Sequence, residues 1–297
     1  MVLATVGRPT LDACLRSLAE CRPQPAEIII VDQSPNGVNS AVLAVLGNRA
    51  WYVRSEIQNA RHARNLGLHL ATQATVLFTD DDCTVAPSWA GVGSRLETSG
   101  PPVALTGRVL GVGPRGSVPS IIELTEPEEY SDELRHAALW GNNMVVPRTH
   151  AIALGGFDPR LPSAGDNDFS YRWLRAGYRV RYDPDLIVWH HGWRTRRQLR
   201  TLYRRYAYGQ GFFYAKHLLA GDHRVLRLAA TDMRTSVRAW ARRALRGRPD
   251  WPDEREALLA GVPLGLLVGL RKLRRVAKSG SCSERTGTSG DPASDPS

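Results

Sequence analysis

Residues Thr75 to Asp82 read TVLFTDDD, an apolar run that ends abruptly in three carboxylates. Four to five apolar or β-favouring residues bounded by polar ones predict a buried strand, Thr75–Thr79, with the acids at its C-terminal edge. A similar pattern stands earlier in the chain, where Glu27–Asp32 (EIIIVD) also closes an apolar run on an aspartate. Between and before these strands lie helical patterns. Leu11, Leu15 and Leu18 recur at helical spacing across Thr10–Cys21, with Thr10 as a potential N-cap, and Ala63, Leu66 and Leu70 share a face across Asn59–Ala71. With Met1–Val6 as a first strand, this alternation predicts an α/β fold with a mostly parallel sheet flanked by helices. The strands ending in Asp32 and Asp80 are expected as adjacent parallel neighbours, bringing their acids to the crevice where open α/β sheets bind ligands.

Three adjacent carboxylates repel one another, and a fold that keeps them together commonly supplies a cation. Mg²⁺ or Mn²⁺ combines a few carboxylates with phosphate oxygens and water, so Asp80, Asp81 and Asp82 point to a metal and a diphosphate substrate. An acidic turn capping the next helix is the other reading of the same residues.

The composition is that of a folded protein of 297 residues, with 42% hydrophobic and 23% charged residues. Cys14, Cys21, Cys83 and Cys282 form no CxxC pair, which argues against a zinc site or a disulfide framework and for a reducing compartment. No signal peptide is recognisable in the first residues, so a cytoplasmic location is expected. The net charge of +10 is uneven. Residues 1–193 carry 17 Lys and Arg against 20 Asp and Glu, net −3, whereas residues 194–278 carry 21 against 6, net +15. Three regions are therefore expected: a catalytic domain over 1–193, a basic helical extension over 194–278, and a polar, disordered tail over 279–297.

In the middle of the chain, Gly155–Gly177 reads GGFDPRLPSAGDNDFSYRWLRAG, with a helix expected over Phe169–Ala176 and Gly177 after its end. A third apolar strand, Leu186–Trp189, precedes His190 and His191.

Taken together, VDQSP at Asp32, NARHARNLG at 59–67, the DDD triplet, the GGFD…GDND…RAG segment and VWH at His190 resemble the inverting family 2 glycosyltransferases of the GT-A fold, in a branch like the bacterial rhamnosyltransferases. The resemblance covers about Leu3 to Trp193. It implies that Asp80 and Asp82 are the DxD pair on the metal, that His190 completes the metal shell, and that Asp32 meets the donor's base. Thr5, Arg8, Arg64 and Asp81 would line the nucleotide-sugar pocket, with Arg64 meeting phosphate. Asp166 falls on the family's catalytic base, although Gly165 replaces the acid usual before it. Trp140, Asn142 and Asn143 resemble the GxNM segment on the sugar and acceptor side, and Asp168 belongs with them unless it only caps its helix.

The activity so implied is metal-dependent, inverting transfer of a sugar from a UDP- or dTDP-sugar to a hydroxyl of a glycan, glycolipid or lipid-linked precursor, as in cell-wall or polysaccharide biosynthesis. A nucleotidyltransferase shares a metal, a nucleotide and acids, but usually brings a longer Gly-rich basic loop than Val6–Pro9. A degenerate relative that binds membrane or nucleic acid is the non-enzymatic reading. Tyr203–Leu218 alternates aromatic and basic residues, yet no nucleic-acid module frames it, so acceptor or membrane contact is favoured. Leu258–Leu270 is apolar but too short for a bilayer span and is followed by Arg271, Lys272, Arg274 and Arg275. That arrangement suits either an anionic inner membrane face or a buried helix in which Gly261, Gly265 and Gly269 allow close packing.

Overall fold

A computed structural model of the chain describes residues 1–39, 43–96, 100–131, 138–246 and 251–283. Its first element is β1 (Val2–Thr5), followed by helix α1 (Leu11–Ala19), β2 (Ile28–Asp32), a 3-10 turn, and β3 (Ala50–Arg54). Helix α2 (Ala60–Leu70), capped by the Asn59 side chain, leads into β4 (Thr75–Asp80). These four strands are parallel in the order β3-β2-β1-β4. Helical crossovers are what parallel neighbours require, and α1 and α2 supply them.

The register refines the expected layout. Asp32 pairs with Thr5 and Asp80 with Ala4, so β1 lies between the two acid-bearing strands rather than leaving them adjacent. The chain departs from β1 to one side through α1 and returns on the other side as β4. That reversal of strand order opens the crevice at the C-terminal ends of β1 and β4.

The other half of the sheet is mixed. It comprises β5 (Cys83–Val85), β6 (Val103–Val112), β7 (Glu128–Tyr130), β8 (Met144–Pro147) and β9 (Arg179–His191), with helices α3 (Trp89–Ser94), α4 (Arg148–Ala153) and α5 (Gly165–Arg175). Strand β8 runs antiparallel to β4 and β6, and the long β9 runs parallel to β6. Alternate residues divide between two cores. Leu3, Ile28 and Ile30 pack with α1 and Trp89 on one face, while Val2, Ile29 and Val31 pack with Ala63, Phe169 and Trp173 on the other.

After Trp193 come α6 (Arg196–Leu219), α7 (Val225–Arg246) and α8 (Glu254–Ser283). A Thr195–Gln198 capping box starts α6. The apolar segment 258–270 is the interior of α8, and its glycine stripe faces α6. A Cβ on Gly261 would stand 2.4 Å from Ala207 Cβ, and one on Gly265 2.0 Å from Tyr208 O, so the two helix backbones touch. Among the described residues no helix is long and apolar enough to cross a membrane. Helix α8 continues to Ser283, inside the expected tail, and residues 284–297 lie outside the described residues.

Candidate active site

The C-terminal ends of β1 and β4, the start of α5 and the inner side of α6 enclose a cleft of about 720 Å³. Each acid of the DDD triplet has a different environment there. Asp80, the last residue of β4, keeps a partly exposed carboxylate and accepts from Arg64 Nη2 at 2.6 Å. Asp81 is fully buried: its carboxylate accepts from Thr5 Oγ1 (2.6 Å), the Val6 amide (3.1 Å) and Arg8 Nη1. Burial pushes the Asp81 carboxyl up, and Arg8 and Thr5 only partly offset it. Asp81, expected in the nucleotide pocket, therefore shapes the turn after β1 from beneath and is not among the residues that line the cleft. Thr5 and Arg8, which it positions, do line the cleft.

Asp82 faces β9. His190 Nε2 stands 3.5 Å from its Oδ1, and Trp193 Nε1 (2.9 Å) and Arg194 Nη2 (3.2 Å) donate to Oδ2. Although burial opposes it, His190, Arg8 and Trp193 hold the carboxyl well below its ordinary value. The pairing of Cys83 with His190 across β5 and β9 brings the two residues together, and Asp82, Cys83 and His190 can present ligand atoms within 4.8 Å of one another. Both His190 ring nitrogens are buried without a directed hydrogen-bond partner, an arrangement costly for imidazole unless something else is coordinated. A carboxylate and an imidazole with no directed hydrogen bond fit Mn²⁺ and tolerate Mg²⁺. Cys83 fits less well, because burial and the neighbouring aspartates keep it a thiol. Asp80, expected as a ligand, is turned to Arg64 and stands outside this group.

Asp166 sits in the first turn of α5. The helix starts at Gly165, four residues earlier than its apolar pattern suggests, because Ala164 adopts the left-handed conformation (φ 57°, ψ 25°) and turns the chain sharply into it. A non-glycine residue costs about 1 kcal/mol or more there, strain of a kind found at functional sites. Asp166 Oδ1 accepts from Arg64 Nη1 at 3.0 Å and Oδ2 from the Gly141 amide at 3.0 Å. Arg64, nearly buried, thus bridges Asp80 and Asp166. Gly141 is needed for this: a Cβ there would stand 2.5 Å from Arg64 Cζ.

The remaining expected residues divide. Trp140 and Asn142 line the cleft, and Asn142 Oδ1 is a buried acceptor with no partner among the described residues. Asn143 faces away, its amide held by Trp89 Nε1 and by the carbonyls of Arg108 and Leu186. Asp168 is likewise outside the cleft, fully buried among Arg172 (2.8 Å), Lys216 (2.6 Å) and His217 (3.0 Å), where it fastens α6 to α5. Neither lines the cleft, where both were expected. Asp32 lies below the cleft's rim, and Ser34 N, Val38 N, Tyr52 OH and Arg54 Nη1 already donate to it. Despite burial, those donors hold its carboxyl below the ordinary range. Sequence reasoning missed Cys83, Arg194, Arg205 and Tyr206; the last three come from the basic segment, whose inner side walls the cleft.

Residues 2–111 match the family model of glycosyl transferase family 2. Two pre-mycofactocin glycosyltransferases of Mycobacterium tuberculosis strains (CDC 1551 and H37Rv) are each 32% identical over 171 residues, 50% of this chain and 33% of theirs. The chain spans about a third of the length of these curated relatives. Among solved structures, a mannosyltransferase from Pyrobaculum calidifontis in complex with GDP-Man and Mn²⁺ is 19% identical with a TM-score of 0.55, over 96% of this chain and 78% of its own. S. aureus TarS 1–349 in complex with UDP-GlcNAc is 15% identical with a TM-score of 0.55, over 94% and 91%. At these identities the likeness establishes a shared GT-A fold.

Proposed function

We propose that the protein transfers a sugar, with inversion, from a UDP- or dTDP-sugar to a hydroxyl acceptor, a reading supported by the match of residues 2–111 to the glycosyl transferase family 2 model. The observation that carries this reading is the Arg64 bridge, which fixes one carboxylate of the DDD triplet and Asp166 in one cleft. Nucleotide-sugar complexes of the similar folds from P. calidifontis and S. aureus support the donor class.

Inversion is an in-line displacement in which the acceptor oxygen bonds to the anomeric carbon as the bond to the diphosphate breaks. Asp166 would take the proton of the attacking hydroxyl, oriented by Gly141 N–H and Arg64. Asp82 and His190 would hold Mg²⁺ or Mn²⁺, with Asp80 as a further ligand. Such an ion, when bound, offsets charge developing on the leaving diphosphate. Arg64 and Arg8 add fixed positive charge at the same end. Asn142 offers its free carbonyl oxygen to a sugar hydroxyl. Asp32, through Tyr52 and Arg54, would sit at the base.

A glycan, glycolipid or lipid-linked acceptor and an anionic membrane surface are the partners proposed. Support for the surface comes from α7, which exposes Leu226, Val237 and Trp240 along one side and Arg227, Arg234 and Arg238 beside it. An apolar stripe flanked by arginines suits a helix lying in a headgroup layer. The catalytic assignment is tested by Asp166→Asn, which is expected to keep nucleotide binding and lose sugar transfer; normal transfer by the variant would overturn it.

A further inference from the structure

The cleft contains cations that its own acids do not neutralise. Arg64 spends its charge on Asp80 and Asp166, and Arg8 and Arg194 spend theirs on the Asp81–Asp82 pair. Arg61 and Arg205 have no acidic partner among the described residues, yet both line the cleft. Arg61 lies one helical turn before Arg64 on the same side of α2. Its stem occupies the space that a side chain on Gly165 would take: a Cβ there would stand 2.6 Å from Arg61 Cδ. Arg61 Nε is buried and finds no hydrogen-bond partner among the described residues. Burial, opposed by Asp166 and Asp158 and reinforced by Arg64 and Arg205, pushes the Arg61 guanidinium below its ordinary value, so a further anion would stabilise it.

Arg205 is brought to the same place by α6. Its carbonyl accepts from Ser163 Oγ at 2.7 Å, and Gly209, one turn on, lets α6 ride directly over Ser163. The loop so clamped is the one that delivers Gly165 and Asp166.

We propose that Arg61 and Arg205 form an anion subsite beside Asp166 that binds a phosphate or carboxylate carried by the acceptor. This rests on the transferase reading, in which Asp166 receives the acceptor hydroxyl. The replacement of an acid by Gly165 then has a physical role: it leaves Arg61 without an ion-paired acid among the described residues and gives its stem room. Guanidinium groups suit oxyanions through paired N–H donors.

The test uses the full chain with Mg²⁺ and a saturating nucleoside diphosphate (UDP, dTDP or GDP, whichever binds), so that the donor site is filled. Inorganic phosphate and, separately, acetate are titrated by calorimetry into the wild type, Arg61→Gln, Arg205→Gln and Gly165→Glu. One of the two anions is expected to bind the nucleotide-loaded wild type and to bind each variant at least about tenfold more weakly, by analogy with the loss of a charge-assisted pair. Which anion binds tells phosphate-bearing from carboxylate-bearing acceptors. Arg205 is exposed, so its variant keeps the test readable if Arg61→Gln fails to fold. Equal anion binding by wild type and Arg205→Gln, or loss of the anion site on nucleotide loading, would overturn the subsite. Absence of nucleotide binding would count against the transferase reading, and the anion titrations without nucleotide would still compare the wild type with its variants.

Discussion

Arg64 Nη1 lies 3.0 Å from Asp166 Oδ1, and the other end of the same guanidinium holds Asp80. One planar fork thus sets the spacing between the expected donor end and the expected base. A lysine has a single ammonium and cannot reproduce that fork. Arg64→Lys is expected to keep the fold and lower sugar transfer about a hundredfold, in the range seen when a preorganised charge is removed. Gly141→Ala, whose Cβ would collide with Arg64 Cζ, is expected to act in the same direction. Circular dichroism and donor turnover measured together check both; undiminished turnover in Arg64→Lys would refute the bridge's role.

The metal assignment separates two neighbouring residues. Asp82→Ala is expected to abolish metal-stimulated turnover and weaken Mn²⁺ binding by at least tenfold, whereas Cys83→Ser is expected to retain both, since the thiol stays protonated. Manganese titration of each variant decides between them. Loss of Mn²⁺ binding in Cys83→Ser would bring the thiol into the ligand set.

How much of this could be read from the sequence depends on range. The strands ending in Asp32 and Asp80 declared themselves because apolar runs and terminal acids are local signals, and the GDND…RAG register placed Asp166. Their relative position did not, since pairing order is set by crossovers and only the register shows β1 between them. The strand β9 extends well beyond its readable LIVW core because Arg179–Asp185 is too polar to announce a strand, yet it pairs with β6 and β7. Asp168 and Asn143 matched a family pattern but were claimed by long-range partners, Lys216 and Trp89, which no local reading supplies. The glycine stripe of α8 found its partner within the chain, in α6.

Asp168 makes a pH-dependent link between α5 and α6. Burial alone would raise its carboxyl, but His217, Arg172 and Lys216 bring it down to about 2. Asp158, facing the same Lys216, is also held low. An unperturbed aspartate titrates near 3.9, so the stabilisation is fully present above about pH 5 and is lost as pH falls through about 2. The sign follows from the lowered folded-state value: the unfolded chain takes up the proton first. The contribution is on the order of 2 kcal/mol. Asp168→Asn is expected to lower the melting temperature at pH 7 and to flatten its fall between pH 5 and 3. A wild-type melting temperature constant across that range would contradict the link.

The surface of α7 gives a prediction about lipid. Vesicles containing an anionic phospholipid should sediment the protein and neutral vesicles should not, with binding weakened by salt. Trp240→Ser and Arg238→Glu are each expected to reduce binding severalfold without changing donor turnover. Equal binding to neutral vesicles would remove the electrostatic part of the argument.

The central claim is that Asp82 and Asp166 serve sugar transfer from a nucleoside-diphosphate sugar. Its most direct test is release of nucleoside diphosphate from a panel of UDP-, dTDP- and GDP-sugars, with Mn²⁺ or Mg²⁺ and with chelator. The account predicts metal-dependent release from a UDP- or dTDP-sugar, abolished by chelator and by Asp82→Ala. Release that is the same in Asp82→Ala, or none from any donor with either metal, would contradict it.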